Sequence, residues 1–270
     1  MVERNPLHCW RGLLALPNTS RFKAIVVVLL VSVTCAVVVS VTAVTLRPLQ
    51  QANLEAARKA RIATMLQSLP GTGGAAGDAG APAIKTVVVD LAKGSIVEGL
   101  DPLAYDQRIA AANRSTSVAI PDEADIAGIA RRAKLAPVHF VHRNAKLTFV
   151  ILPVHGAGYQ SVLYGYLALE ADLGTIAALT FYEQAETPGL GDRVREPAWL
   201  AKWPGTRIAD ADGNLRVAVV QGNAKRPYEV DGISGATRTG NGVAKLLRFW
   251  LGDFGFGPFL KRLAAGEVKP

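Results

Sequence analysis

Residues 138–184 read VHFVHRNAKLTFVILPVHGAGYQSVLYGYLALEADLGTIAALTFYEQ, a stretch rich in apolar, β-branched and aromatic side chains. It divides into four runs, at residues 138–142, 147–154, 161–170 and 174–184. The connections between the first two runs and between the last two are too short for the helical crossover that parallel strands require. The stretch therefore predicts strands that pair in antiparallel fashion.

Shorter elements are predicted on both sides of this stretch. The further strand candidates are residues 85–91, 217–220 and 228–230. Residues 124–134 have a helix-forming composition after the start signal at Pro121, and a second helix is expected after Thr239. Because strands do not alternate regularly with crossover helices, the predicted class is α+β with a largely antiparallel sheet.

Residues 24–46 contain no charged side chain and are rich in valine and leucine. As a helix they would reach about 34 Å, which is enough to cross the hydrocarbon core of a bilayer. A cleaved signal peptide has a shorter apolar stretch that ends in small residues, whereas Arg47 and Pro48 end this one. A buried helix of a soluble protein would carry polar residues along one side. The sequence therefore predicts a single N-terminal transmembrane helix.

The flanking charges predict the orientation of this helix. The segment before it has one acidic residue, Glu3, and four basic residues: Arg4, Arg11, Arg21 and Lys23. The positive-inside rule then places the N-terminus in the cytoplasm and the rest of the chain in the periplasm of a bacterium, although basic residues after the span weaken the asymmetry. The expected segments are a cytoplasmic lead at 1–23, the span at 24–46, a helical stalk and Gly/Ala-rich linker at 47–82, and a periplasmic domain at 83–270.

Composition argues against several classes of function. The 270-residue chain has a formal net charge of +8, but its basic residues are scattered, so membrane proximity explains them better than nucleic-acid binding. Cys9 and Cys35 precede the outer domain and leave it without a disulfide or a thiolate metal site. His139 and His142 lack a third ligand type nearby and are interpreted as surface residues. No bound metal is expected.

A glycine-containing turn precedes the last predicted helix. Residues 231–239 read DGISGATRT, in which Gly232 and Gly235 allow positive φ angles and close approach of other atoms. Apolar residues then recur at helical spacing, so the free N–H groups of the first turn would point at a group near Thr237. This arrangement suits a phosphate. The alternative is an ordinary helix N-cap, where Ser, Thr and Asp are preferred for local reasons.

Two upstream loops have compositions that suit a pocket. Residues 186–191 read ETPGLG, in which the proline and glycines indicate a rigid turn whose backbone can approach a ligand closely. Residues 155–159 read HGAGY, and glycines beside aromatic residues suit a site that admits a flat ring. Each loop taken alone is also explained as an ordinary turn.

The SGAT core at residues 234–237 resembles the flavinylation motif of the FMN-binding subunits of ion-translocating NADH:quinone and Rnf-type complexes. ETPGLG and a Gly-x-Gly segment upstream belong to the same pattern. Residues 197–205 (PAWLAKWPG) and 249–260 (FWLGDFGFGPFL) look more like the C subunits of the Na⁺-translocating NADH:quinone oxidoreductases than the shorter Rnf G subunits. The resemblance covers nearly the whole chain from the membrane helix onward. It departs at Gly240, where many relatives have a serine.

The resemblance implies that the Thr237 hydroxyl carries FMN through a phosphoester and that Tyr159 lies near the edge of the isoalloxazine ring. The other implied FMN contacts are Asp231, Ser234, Gly235, Ala236, Thr239, Glu186, Thr187, Gly189 and Leu190. A threonine hydroxyl is a weak nucleophile, and the chain shows no catalytic triad to activate it. The resemblance accordingly implies a periplasmic, Mg²⁺-dependent flavin transferase that uses FAD as donor.

The same resemblance implies an electron relay within a Na⁺-pumping NADH:quinone oxidoreductase, anchored in membrane lipid beside other membrane subunits. No Gly-x-Gly-x-x-Gly fingerprint follows a strand, so no NADH site is expected in this chain and it is not catalytic alone. The alternatives are an Rnf-type G subunit, which adjacent genes would distinguish, and a membrane-tethered FMN sensory module, which would have a long cytoplasmic signalling region. A plain structural anchor would leave the threonine turn unexplained.

Overall fold

The computed structural model describes residues 17, 20–67, 69 and 82–269. Internal contacts divide the chain into two units, with the boundary between residues 59 and 60. Helix α1 (Arg21–Gln67) has 47 residues. Its segment Arg21–Arg47 is the one helix in the described part of the chain that is long and apolar enough to cross a membrane, and none of its apolar window is buried. The predicted N-terminal apolar helix is confirmed.

The three threonine hydroxyls of this apolar segment bond to the helix backbone. Thr34, Thr42 and Thr45 each donate a hydrogen bond to the carbonyl four residues earlier, at 2.8, 2.7 and 3.0 Å. These bonds matter because an unpaired hydroxyl is costly in hydrocarbon. These three threonines are therefore compatible with a lipid environment. The predicted linker, apart from Pro82, and most of the N-terminal lead fall outside the described residues.

Eleven strands are seen in the described part of the second unit: β1 (Ala83–Asp90), β2 (Ser95–Val97), β3 (Ser117–Ala119), β4 (Arg131–Ala133), β5 (Leu135–Arg143), β6 (Lys146–Ala157), β7 (Val162–Glu170), β8 (Thr175–Glu183), β9 (Thr206–Arg207), β10 (Ala218–Val220) and β11 (Glu229–Asp231). Seven form one antiparallel sheet in the order β2-β1-β5-β6-β7-β8-β9. Strands β3 and β4 form an antiparallel pair, and β10 and β11 a parallel pair. The predicted α+β class with a largely antiparallel sheet is confirmed.

The helices of the second unit are short except for one. They are α2 (Gln107–Ala112), a 3₁₀ helix (Gly191–Arg195), α3 (Pro197–Leu200), α4 (Thr237–Leu251) and α5 (Gly257–Ala264). Helix α4 lies close against the end of β6, because a Cβ on Gly242 would come within 2.5 Å of the Ala157 carbonyl oxygen. This contact holds the beginning of α4 beside the turn that follows β6.

Side chains alternate between the two faces of the sheet, as expected for strands buried on both sides. On β6, Val150, Leu152 and Val154 belong to the main core, which also contains the apolar face of α4. Phe149 and Ile151 point the other way into a smaller core that includes Met65 and Leu69. Both faces of the central sheet are thus covered by apolar residues.

The β5–β6 hairpin has a tight turn. Asn144 and Ala145 both have positive φ angles, of 51° and 59°. Two consecutive left-handed residues match the twist of adjacent antiparallel strands. The predicted antiparallel pairing is confirmed both here and between β7 and β8.

The predicted helix at residues 124–134 is wrong. Asp125 accepts hydrogen bonds from the backbone N–H groups of Ile129 and Ala130, at 3.0 and 2.7 Å. Gly128 and Ala130 have φ angles of 64° and 57°, which no right-handed helix contains. The segment forms turns and then joins β3 as β4, so local side-chain bonds and strand pairing override its helical composition.

The interpretation of His139 as a surface residue is also wrong. Its side chain is buried on β5, with Nδ1 2.9 Å from the Thr86 hydroxyl. Burial lowers the pKa of His139 to about 4, so the ring is neutral at pH 7. It is a core residue paired with a neighbouring strand.

Candidate functional site

The beginning of helix α4 is open. The helix is expected after Thr239 but begins at Thr237, and no side chain caps it at Ala236. Gly235 has a φ angle of 78°, which allows the sharp turn into the helix. The ordinary N-cap explanation of the motif therefore does not apply. The first-turn N–H groups, which have no partner within a helix, remain available for an anion.

The two threonines of this turn have different environments. Thr237 is exposed at the first helical position. Thr239 is only 2% exposed, and its hydroxyl donates a 2.7 Å hydrogen bond to Glu186 Oε2. Only the first of these hydroxyls is accessible to an enzyme from solution.

Glu186 connects three segments of the site although it is only 5% exposed. Besides the Thr239 hydroxyl, it accepts hydrogen bonds of 2.9–3.1 Å from the backbone N–H groups of Tyr159, Gln160 and Ser161 and from the Ser161 hydroxyl. Burial raises the pKa of Glu186, but the accepted hydrogen bonds, first that of Thr239, lower it by more. The pKa thus lies below its ordinary value and the group is a carboxylate at pH 7.

Two glycines make room for this carboxylate. A Cβ on Gly158 would lie 2.6 Å from Glu186 Oε1, and a Cβ on Gly191 would lie 2.8 Å from both Glu186 Cβ and the Thr239 hydroxyl oxygen. Any larger residue would push the segments apart. Gly158 and Gly191 therefore serve close approach between protein segments.

A cavity of about 320 Å³ lies beside the beginning of α4. Its lining residues are Tyr159, Thr187, Leu190, Gly191, Gly235, Ala236, Thr237, Arg238 and Thr239. Tyr159 and Leu190 are 53% and 44% exposed, which is high for large apolar side chains. The Arg238 guanidinium lies 5.1 Å from the centre of the Tyr159 ring. The cavity thus combines exposed apolar walls with a cation and a helix N-terminus.

Most of the residues singled out by the sequence meet at this cavity. Four of them do not line it. Glu186 lies behind it, Ser234 is exposed and Gly189 is in an open turn with a φ angle of 74°. The Asp231 carboxylate accepts a 2.9 Å hydrogen bond from the Ala224 N–H, and its carbonyl accepts one from the Trp199 indole. Asp231 therefore stabilises the loop that contains Ala224.

Two lining residues were not among the predicted contacts. Gly191 ends the ETPGLG segment and Arg238 follows Thr237 directly, so both were next to predicted residues in the sequence. Neither belongs to the quoted SGAT core. Their role depends on the orientation of α4 relative to the ETPGLG loop, which the sequence pattern does not specify.

The site fits a phosphorylated flat ring. Its volume lies in the range of small-molecule pockets, which is roughly 300–1,000 Å³. An uncapped helix N-terminus suits a phosphate, the Arg238 cation adds positive charge to the cavity wall, and no lining residue is acidic. Tyr159 and Leu190 offer apolar surface for a ring. The lining residues therefore suit FMN.

Comparison with known proteins identifies the class. Residues 158–252 match the family model described as FMN-binding domain, and this range contains every lining residue of the cavity. The second unit thus contains an FMN-binding domain.

Several curated relatives are similar over almost the whole chain. The C subunit of the Na⁺-translocating NADH-quinone reductase of Vibrio parahaemolyticus is 40% identical, covering 93% of this chain and 98% of the relative. The corresponding Pseudomonas aeruginosa protein is 41% identical, with 92% and 98% covered. The crystal structure of Shewanella oneidensis NqrC has a TM-score of 0.65 and 39% identity, with 67% of this chain and 84% of that chain covered. The chain belongs to the NqrC family, the C subunits of Na⁺-translocating NADH-quinone reductases, as the resemblance implied.

Proposed function

We propose that this protein is a membrane-anchored subunit that carries FMN covalently on Thr237 and relays electrons within a Na⁺-translocating NADH-quinone reductase. The observation that carries this proposal is the cavity beside an uncapped helix N-terminus, where an exposed threonine lies among apolar side chains. When bound, FMN supplies the redox chemistry, which no side chain of the site provides. The names of the relatives supply the complex and its substrates.

The choice of Thr237 rests on accessibility and neighbouring charge. Its hydroxyl is exposed, whereas that of Thr239 is held by Glu186. A phosphoester oxygen at Thr237 would lie next to the first-turn N–H groups of α4, which stabilise negative charge. The helix therefore supports the phosphate end of the cofactor, while Tyr159 and Leu190 offer surface to the ring.

Attachment requires a separate enzyme. Activation of a threonine hydroxyl needs a general base, and the lining residues include no carboxylate or histidine. A periplasmic flavin transferase with FAD as donor, as the resemblance implies, supplies the missing chemistry. The other membrane subunits supply the NADH site, the quinone site and the ion path. The one span found among the described residues is insufficient to form an ion path by itself.

The intact mass of the purified full-length protein tests this function. After co-expression with a flavin transferase, we expect the mass to rise by one FMN residue, that is FMN less one water. Without the transferase, the unmodified mass is expected. An unmodified mass in both cultures, with a relative from Vibrio modified in parallel, would rule out covalent FMN.

The proposed orientation places the domain in the periplasm, where the transferase acts. It rests on the basic residues that precede the span, including Arg21 and Lys23. We expect alkaline phosphatase fused after Pro270 to be active in bacterial cells, since that enzyme folds only after export. A cytoplasmic reporter at the same position should be silent. Activity of the cytoplasmic reporter alone would reverse the orientation.

A further inference from the structure

Arg238 is the one charged residue among those that line the cavity. Its guanidinium lies over the ring of Tyr159, at 5.1 Å from the ring centre. Among the described residues, no carboxylate forms an ion pair with it. The cavity wall thus carries a cation that is not neutralised by direct pairing.

Glu186, the acid that lies behind the cavity, does not neutralise Arg238. The Glu186 carboxylate already accepts hydrogen bonds from Tyr159, Gln160, Ser161 and Thr239. These donors come from the backbone and from hydroxyl groups, and they fix the carboxylate behind the lining residues. Arg238 is therefore the side-chain charge that faces the cavity.

We propose that Arg238, held against Tyr159, sets the reduction potential of the bound FMN. This inference rests on the proposed function. Arg238 is assigned to the isoalloxazine ring instead of the phosphate, because the first-turn N–H groups of α4 already face the phosphate position. Reduction adds negative charge to the isoalloxazine ring, and a cation beside the ring stabilises that charge. Arg238 makes the FMN easier to reduce.

The test is a redox titration of the flavinylated full-length protein. Arg238→Leu is expected to lower the equilibrium constant for two-electron reduction roughly tenfold, which corresponds to a fall of about 30 mV in midpoint potential. Arg238→Gln should show a similar fall, and Arg238→Lys a smaller one because it keeps the charge. Arg114→Leu is the matched control, since it removes one exposed arginine outside the cavity.

The outcomes separate this inference from the proposed function. An unchanged potential in Arg238→Leu and Arg238→Gln, or an equal fall in Arg114→Leu, would overturn it. If both neutral variants take no flavin while Arg238→Lys does, Arg238 serves attachment and the inference is wrong. If the parent protein itself takes no flavin from the transferase, the proposed function fails instead.

Discussion

We expect Thr237→Ala to abolish covalent flavinylation completely, because the variant lacks the oxygen through which the phosphoester forms. The exposed position of this hydroxyl at the open end of α4 suits modification by an external enzyme. The measurement is ultraviolet fluorescence of the protein band in a denaturing gel, after co-expression with a flavin transferase. The folded domain should be retained, since an exposed side chain at this position supports little packing.

The matched control is the second threonine of the same turn. Thr239→Ser keeps the hydroxyl that Glu186 accepts from, so that this variant should fold and remain fluorescent. Thr237→Ser tests whether a hydroxyl alone is sufficient for modification. A fluorescent band in Thr237→Ala, together with its loss in Thr239→Ala, would move the attachment site by two residues.

Glu186→Ala is expected to lower the free energy of unfolding by about 3 kcal/mol, because it removes the acceptor of one buried and four partly buried hydrogen bonds at once. The donors left behind belong to Tyr159, Gln160, Ser161 and Thr239. Urea denaturation of the protein measures the change. Glu183→Ala is the control, since its ion pair with Arg108 is half exposed and such pairs contribute roughly 0–1 kcal/mol.

The contribution of Glu186 to the free energy of unfolding is expected to decrease at low pH. Its pKa is lower in the folded protein than in the unfolded chain, so its stabilisation is complete above the unfolded pKa and is lost as the pH falls through the folded pKa. The stability difference between the parent protein and Glu186→Gln should therefore shrink in acid. A difference that stays constant down to the acid transition would show that the charge of Glu186 contributes nothing.

The position of Glu186 illustrates what the local pattern leaves open. Thr187, Leu190 and Gly191 of the ETPGLG segment line the cavity, but Glu186 lies behind the lining residues instead of among them. Likewise, the glycine at 191 avoids a clash with Glu186 and Thr239. These roles arise because α4, the β6–β7 turn and the ETPGLG loop converge from distant parts of the chain.

The sequence alone determined the apolar N-terminal helix, the antiparallel sheet and the family, because each depends on local properties. An uncharged run suits only an apolar environment, short connections exclude parallel pairing, and a motif is a run of neighbouring residues. The tertiary structure alone decided that Arg131–Ala133 pair with β3 instead of continuing a helix, that Thr239 is buried while Thr237 is exposed, and that Arg238 faces Tyr159. The physical reason is that burial and hydrogen-bond partners are set by segments far apart in the chain, which local composition does not encode.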